Sequence, residues 1–270
     1  MNSEQTFHSI YNELTNIGEM VSPRGIAVLE CENYNYVLEP YIRFASFESR
    51  KLNLNYIKEE FLWYLRGERY DTSITRHAKM WSGLINEDGS INSNYGQYIF
   101  GKEKQFDRAL QVLIADKDSR RASISILNKE HLLSNTKDVP CTYSMNFRIR
   151  KNRLNMTVRM RSQDAILGMG NDAPAFSFIH EMMLQSLKRA YPELECGNYY
   201  HSADSFHLYE KHFGIVTKIL QGDKYIEVDC PRISGPDEVD YLRSKQYQET
   251  LFEFIPKEYK FAIWLCTKEA

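Results

Sequence analysis

Cys141 follows Pro140 at the start of a stretch with strand-like alternation. An ionised thiol is intrinsically very nucleophilic, and cationic neighbours are what ionise it. Arg161, on the stretch that would pair with it, is the candidate neighbour. A lone cysteine on the apolar side of a strand is equally at home as a small buried hydrophobe, so spacing alone leaves both readings open.

Four other groups have chemistry in their types and spacing. Glu60 lies beside Phe61, Leu62 and Trp63 in a helical stretch. There a carboxylate can lose water and take up proton-transfer work, or simply mark the boundary of an amphipathic helix. Arg120 and Arg121, after Asp116-Lys117-Asp118-Ser119, could hold a phosphate monoester between two guanidinium forks or form a solvated charge cluster on a turn. Asp172 precedes Ala173-Pro174, the place of a helix N-cap. His207 and Tyr209 alternate on an extended segment, which points both rings the same way; ordinary polar surface is the other reading.

The elements that must position these groups are legible in the hydrophobic pattern. Residues 55–66 predict a helix with Ile57, Phe61, Leu62 and Leu65 on one side and Gly67 to end it. Residues 103–115 predict a second, with Phe106, Ala109, Leu110, Leu113 and Ile114 inward. A third is expected from about Pro174 to Arg189, with Phe178, Ile179, Met182 and Met183 inward. A strand is expected over Ser123 to Leu127. From Cys141 to Arg150 the odd positions (Cys, Tyr, Met, Phe, Ile) face the core, and after Lys151-Asn152 the alternation resumes with Leu154, Met156, Val158 and Met160. Period two on both sides of a polar two-residue turn is a hairpin. Its second strand delivers Arg161, Ser162 and Asp164 to one end, where a loop containing Gly168, Met169 and Gly170 leads to the third helix.

Composition bounds the rest. No repeat, low-complexity run or linker divides the 270 residues, so one domain over 1–270 is expected. The irregular mixture of helices and strands points to an α+β fold, a mixed or antiparallel sheet packed with helices. With 34 Lys and Arg against 36 Asp and Glu, the formal charge of −2 argues against a nucleic-acid partner; any phosphate must be held by a local arginine cluster. The apolar run Phe261 to Cys266 is far too short for a membrane span, and the start, Met1-Asn2-Ser3-Glu4-Gln5, has no signal-peptide character. Five cysteines, at 31, 141, 196, 230 and 266, give an odd count without close pairs. They suggest free thiols in a reducing, cytoplasmic setting and no zinc site.

Taken together, Pro140-Cys141, Arg161-Ser162-Gln163-Asp164, Leu167-Gly168 and the acidic residue at 172 resemble thymidylate synthases in order and spacing. So do the run from Glu60 to Gly67, Trp81, Asn94-Tyr95-Gly96, Ser119-Arg120-Arg121 and His207-Leu208-Tyr209. The likeness runs from about residue 20 to 215. Within that family the run Gly89 to Gly96, with Cys141-Thr142 and Asn171-Asp172, resembles the phage deoxycytidylate hydroxymethylases; thymidylate synthases carry Asn where this chain has Asp172. Two features depart from the family pattern: Leu84 stands where many members have a second Trp, and the tail from Lys257 to Ala270 is unlike the short apolar C-terminus that closes over their site.

The resemblance implies a thymidylate synthase-like domain that uses a sheet face to dimerise. It also implies 5,10-methylenetetrahydrofolate as co-substrate, no metal, and a pocket for a pyrimidine nucleoside 5′-monophosphate. In it Cys141 would add to C6 of the base and Glu60 would manage protons. Arg24, Arg161 and Ser162 would hold the phosphate, together with Arg120 and Arg121 from the partner chain. His207 and Tyr209 would bond the sugar, while Asp164, Trp81, Tyr95 and Gly168 would line the folate site. Asp172 would read the base, because a carboxylate accepts from the cytosine amine and can share a proton with N3, whereas an amide matches uracil. The favoured activity is conversion of dCMP to 5-hydroxymethyl-dCMP. The alternatives are a CMP hydroxymethylase, a dCMP methylase, a thymidylate synthase, or a catalytically silent nucleotide- or RNA-binding relative.

Overall fold

The structure is a computed structural model that describes residues 1–134, 136–244 and 255–268. The chain opens with helix α1 (Ser3–Ile17), strands β1 (Glu19–Val21) and β2 (Val28–Leu38), helix α2 (Leu54–Arg66), the short α3 (Gly96–Ile99) and α4 (Gln105–Ala115). After β3 (Ser123–Ser125) and α5 (Lys129–Leu133) come β4 (Thr142–Arg150), β5 (Arg153–Met160) and the short β6 (Gln163–Asp164). The long helix α6 (Leu167–Leu187), strand β7 (Glu195–Tyr209) and helices α7 (Phe213–Leu220), α8 (Pro236–Ser244) and α9 (Lys260–Cys266) follow.

The strands form one sheet in the order β1-β2-β7-β5-β4-β3, with β6 paired to β7. Most pairings are antiparallel; β5 and β6 each run parallel to β7. The expected hairpin is present: Arg150 pairs Arg153, and Lys151 and Asn152 both take positive φ, 50° and 56°, as a tight two-residue turn of this hand requires. Met145, Phe147, Ile149, Leu154, Met156, Val158 and Met160 are buried beneath the helices, while Arg148, Arg159 and Tyr200 are exposed.

α6 runs through the core, buried nearly all round, and α2 and α9 pack beside it. The rings of Phe61, Phe178 and Phe261 meet at 5.0 to 6.3 Å, and Trp264 joins them. Lys58 lies over Trp264 and donates from Nζ to the Thr267 carbonyl at 2.8 Å, tying α9 to α2. The tail is thus tied to α2 as far as Thr267; Glu269 and Ala270 lie outside the described residues.

Three expectations are corrected. The third helix begins at Leu167, not Pro174, and absorbs the expected Gly168-Met169-Gly170 loop. Pro174 sits inside it and forgoes a hydrogen bond to the Gly170 carbonyl, a defect that complete burial of an apolar helix outweighs. The alternation of β4 slips at its start: a register shift between Thr142 and Ser144 buries Thr142 and turns Tyr143 outward, where its phenol donates to Asp204. Ile114, expected inward, is exposed near the end of α4.

Candidate active site

Cys141 stands just ahead of β4, on a segment clamped from both sides. Arg161 donates from its backbone to the Cys141 carbonyl at 2.8 Å, and from Nε and Nη2 to the carbonyls of Pro140 and Val139 at 3.1 and 2.7 Å. From the other side the Asp138 carboxylate accepts from the backbone and hydroxyl of Ser93, both at 2.6 Å, and Asn92 donates to the Asp138 carbonyl at 2.8 Å. The run from Gly89 to Gly96 therefore serves as a brace for the cysteine. Its final glycine is required by packing, since a Cβ on Gly96 would collide with the backbone of Tyr64.

The expected cationic neighbours are present but do not prevail. Burial pushes the Cys141 thiol up; Arg161 and Arg24 pull it down, Asp172 and Asp138 push it up, and the balance is a raised pKa. Arg24 reaches the site from an exposed turn in which its own φ and ψ are 55° and 28°, a left-handed conformation disfavoured for any residue but glycine.

Glu60 projects from α2 into the core and is 5% exposed. Burial drives its carboxyl up to about 8, with Asp172 adding to the rise and a hydrogen bond from Tyr56 opposing it. That bond, from the Tyr56 hydroxyl to Oε1, is 2.7 Å long, and the Tyr56 oxygen accepts in turn from Nε1 of the buried Trp81 at 2.9 Å. Oε2 is buried and without a hydrogen-bond partner. The ring of Tyr95 stacks on Tyr64, one turn beyond Glu60, and its phenol lies near Cys141, Thr142 and Asp172.

Asp172 lies in the second turn of α6, so it is not an N-cap. The N-cap position is Ile166, which has no side-chain cap, and Asp164 ahead of it accepts at its two carboxylate oxygens from the backbones of Ile166 and Leu167 at 2.9 and 3.1 Å. Asp172 keeps some surface open to solvent, yet burial pushes its carboxyl up to about 7, assisted by Asp164 and opposed by a hydrogen bond from Gln163. The start of α6 is held by Arg50, which donates from Nε and Nη2 to the Ile166 carbonyl at 3.2 and 2.8 Å. A Cβ on Gly170 would overlap the Arg50 guanidinium; on Gly168 it would make only ordinary contacts, 3.5 Å to Asp164 and Gln163. Neither packing nor φ demands the glycine at 168, which leaves a low surface beside Asp164 and Asp172 that a flat ligand can approach.

β7 brings the last pair in. His207 is opposite Asp164 in the β6–β7 register, and its ring meets Tyr209 edge to face at 5.1 Å, so the two do point the same way. Tyr209 feels the charges of Asp164, Arg24 and Cys141. Ser162 follows Arg161 at the same end of the hairpin. The fold thus gathers Cys141, Glu60, Asp172, Arg24, Arg161, Ser162, Asp164, His207, Tyr209, Trp81, Tyr95 and Gly168 around one end of the sheet. Arg120 and Arg121 stand apart: both are exposed on the turn before β3, and neither bonds to any of that group.

Three residues of this cluster were not picked out from the sequence. Tyr56 is one helical turn from Glu60, a spacing that pairs side chains. Gln163 lies within the Arg161–Asp164 run, and Asp138 just before Pro140-Cys141. Among the described residues no three His, Cys, Asp or Glu side chains are grouped to hold a metal ion, and no helix is long and apolar enough to cross a membrane.

The thymidylate synthase family model matches residues 5–252, nearly the whole chain. The deoxycytidylate 5-hydroxymethyltransferases of Enterobacteria phages T6 and T4 are each 28% identical over 207 residues, 73% of this chain and 82% of theirs. The deoxyuridylate hydroxymethyltransferase of Bacillus phage SP01 is 28% identical over 235 residues, 80% of this chain and 60% of that protein. A thymidylate synthase from Vesicomyosocius okutanii is 24% identical over 233 residues, 82% of this chain and 80% of its own. The chain belongs to the thymidylate synthase family. Its chemistry is one-carbon transfer to a pyrimidine nucleotide, with methylenetetrahydrofolate as the family's co-substrate.

Proposed function

We propose that this enzyme converts dCMP to 5-hydroxymethyl-dCMP. The observation that carries the reading is Asp172: a carboxyl raised to about 7, with one oxygen held by Gln163, can share a proton near neutral pH. Cytosine offers an amine donor and an N3 acceptor, and a carboxyl that accepts at one oxygen and shares a proton at the other matches both. Uracil offers the reverse pattern and would meet lone pairs. The phage T6 and T4 relatives support the same substrate, and the SP01 relative, named for deoxyuridylate, makes the uracil nucleotide the control.

In this reading the Cys141 thiolate adds to C6, which makes C5 nucleophilic. The raised thiol pKa means that the proton must leave as the nucleotide reacts, with Arg161 and Arg24 stabilising the charge. Methylenetetrahydrofolate would supply the one-carbon unit to C5; loss of the C5 proton and of tetrahydrofolate leaves an exocyclic methylene, water adds to it, and departure of the Cys141 thiolate from C6 restores the base. Glu60, buried and near neutrality, carries protons to and from the ring, a service worth ~10²–10⁴-fold. Arg24, Arg161 and Ser162 hold the phosphate, with Nη1 the Arg161 nitrogen not already bonded to the chain. His207 and Tyr209 bond the sugar hydroxyl. Asp164, Trp81, Tyr95 and Gly168 line the folate surface; the low ground at Gly168 and the acceptors of Asp164 suit a flat, amine-bearing ring. The exposed Arg120 and Arg121 complete the phosphate site of a partner chain in a homodimer.

The test is to incubate the enzyme with methylenetetrahydrofolate and each of dCMP, dUMP, CMP and UMP, then weigh the products. Gain of CH2O by dCMP, with tetrahydrofolate released, is expected, and Cys141→Ala should abolish it. Gain of CH2 with dihydrofolate released, or preference for another nucleotide, overturns the assignment. No turnover of any of the four leaves only a binding protein.

A further inference from the structure

The hydrogen bonds around Glu60 have a direction, and the direction is fixed by chemistry. An indole N–H can only donate, so the Tyr56 oxygen must accept from Trp81 Nε1 at 2.9 Å. The phenol then has one hydrogen to give, and the acceptor it meets among the described residues is Glu60 Oε1, 2.7 Å away. Tyr56 and Glu60 sit one turn apart on α2, a spacing that brings side chains together. Oε1 is therefore committed as an acceptor, while Oε2 is buried with no partner.

We propose that Tyr56, itself set by Trp81, is a positioning residue that fixes which oxygen of Glu60 works: Oε1 is anchored, and every proton Glu60 takes up or gives away passes through Oε2. The proposal rests on the reading of Glu60 as the proton carrier and adds the residues that aim it. Among the described residues, the titratable groups that face the carboxyl are Tyr56 and Tyr64 from its own helix and Asp172 from α6, and no cation is among them. The phenol is thus the one neighbour that favours the ionised form, against burial and the Asp172 charge. Free of such an anchor, a carboxyl would divide its proton between two oxygens and rotate between two presentations, only one of which serves a bound base. An anchored one presents the same oxygen in every turnover.

Tyr56→Phe deletes only the hydroxyl. It should raise the Glu60 titration above about 8, move the limb of the pH–rate profile that Glu60 governs upward, and lower kcat by about 10- to 100-fold, part of the ~10²–10⁴ a positioned acid–base group supplies. The KM for nucleotide should stay within about twofold, since Tyr56 acts through Glu60 and not on the nucleotide. Trp81→Phe keeps a ring in place and removes the N–H; it should shift the same titration in the same direction by less. The titration is followed by carbon-13 carboxyl NMR on ligand-free protein labelled at glutamate, with Glu60→Gln to assign the signal, so it does not depend on which nucleotide is the substrate. An unshifted Glu60 signal in folded Tyr56→Phe protein overturns the proposal, as does a loss of kcat with no movement of the pH limb. If Glu60→Gln itself keeps wild-type turnover, the role of Glu60 falls instead, and the two failures are told apart.

Discussion

The side-chain amide of Gln163 donates to Asp172 Oδ2 over 3.1 Å while its oxygen accepts from the phenol of Tyr36 at 3.1 Å. The Tyr36 ring is stacked on His201 at 4.6 Å, so the amide hangs from a rigid, buried support. An ionised carboxylate accepts only, which obliges Gln163 to turn its NH₂ toward Asp172 and leaves Oδ1 and the second lone pair of Oδ2 to meet a base.

Gln163→Leu removes the one hydrogen bond that lowers the Asp172 pKa, so the carboxyl should titrate above about 7 and be more protonated at neutral pH. A protonated Asp172 can donate to uracil O4. The ratio of kcat/KM for dCMP over dUMP should therefore shrink about tenfold, in line with the loss of one charge-assisted hydrogen bond. Measuring the ratio at pH 6 and pH 8 checks the cause, since discrimination should recover at the higher pH. A ratio that ignores both the substitution and the pH would detach Gln163 from base choice.

Glu60 should cost the fold stability. Its folded pKa of about 8 lies above the ordinary 4.5, so the native state holds a proton that the unfolded chain releases. The contribution of Glu60 to stability is therefore greatest below pH 4.5, falls as the pH rises toward about 8, and levels off beyond that. Glu60→Gln cannot ionise and escapes this slope. The unfolding free energy of the variant minus that of the wild type should grow across the same window by on the order of a few kcal/mol, read as a widening gap between their Tm values. Asp172 contributes a similar slope to both proteins and cancels. A difference that stays constant with pH would mean that Glu60 is not buried in its neutral form.

What the sequence disclosed, and what it hid, follows from the range of the interactions involved. The β4–β5 hairpin and α2 were legible because period-two and period-3.6 burial are local signals, and Gly67 ends α2 at φ 63°. The start of α6 was not: Gly168, Gly170 and Pro174 all argue against helix locally, and what overrides them is contact with Arg50 and the core. The β4 slip at Thr142 was hidden for the same reason, a bulge being set by its partner strand. Of the site, Cys141, Glu60 and Asp172 stood out by type, whereas Tyr56, Gln163 and Asp138 matter through their hydrogen bonds, which composition does not reveal. Asp172 was found by its motif and misread by its position.

A shared site makes a prediction about mixtures. Arg120 and Arg121 lie apart from the cluster around Cys141 in the single chain, so a homodimer that lends them across the interface should show complementation. Cys141→Ala and Arg121→Ala homodimers should each be inactive or nearly so. Mixed and allowed to exchange, they form heterodimers in which one of the two sites has both residues, so activity should return toward about a quarter of wild type when half of the dimers are mixed. Exchange without recovery would confine each site to its own chain.

Asp172→Asn should move preference from the cytosine to the uracil nucleotide. The rival reading of this residue as a helix cap no longer applies, because α6 starts at Leu167 and Asp172 lies within it. The amide oxygen has two lone pairs, enough to accept from Gln163 and from uracil N3–H, and the amide NH₂ can donate to O4. With cytosine the same amide faces amine with amine and loses the shared proton at N3. A site that hydrogen-bonds a substrate edge discriminates strongly, because each mismatch leaves a buried group unpaired at a cost of roughly 1–3 kcal/mol. Two mismatched groups correspond to a change of about two to four powers of ten in the ratio of kcat/KM values. The substitution should also remove the ionisation near pH 7 from the pH profile and leave the Glu60 limb, moved below about 8 because the Asp172 charge no longer adds to it. Profiles of kcat/KM for both deoxynucleotides, in both proteins, read the two effects together. An unchanged ratio alongside a lost ionisation would keep Asp172 in the proton chemistry and take the choice of base away from it.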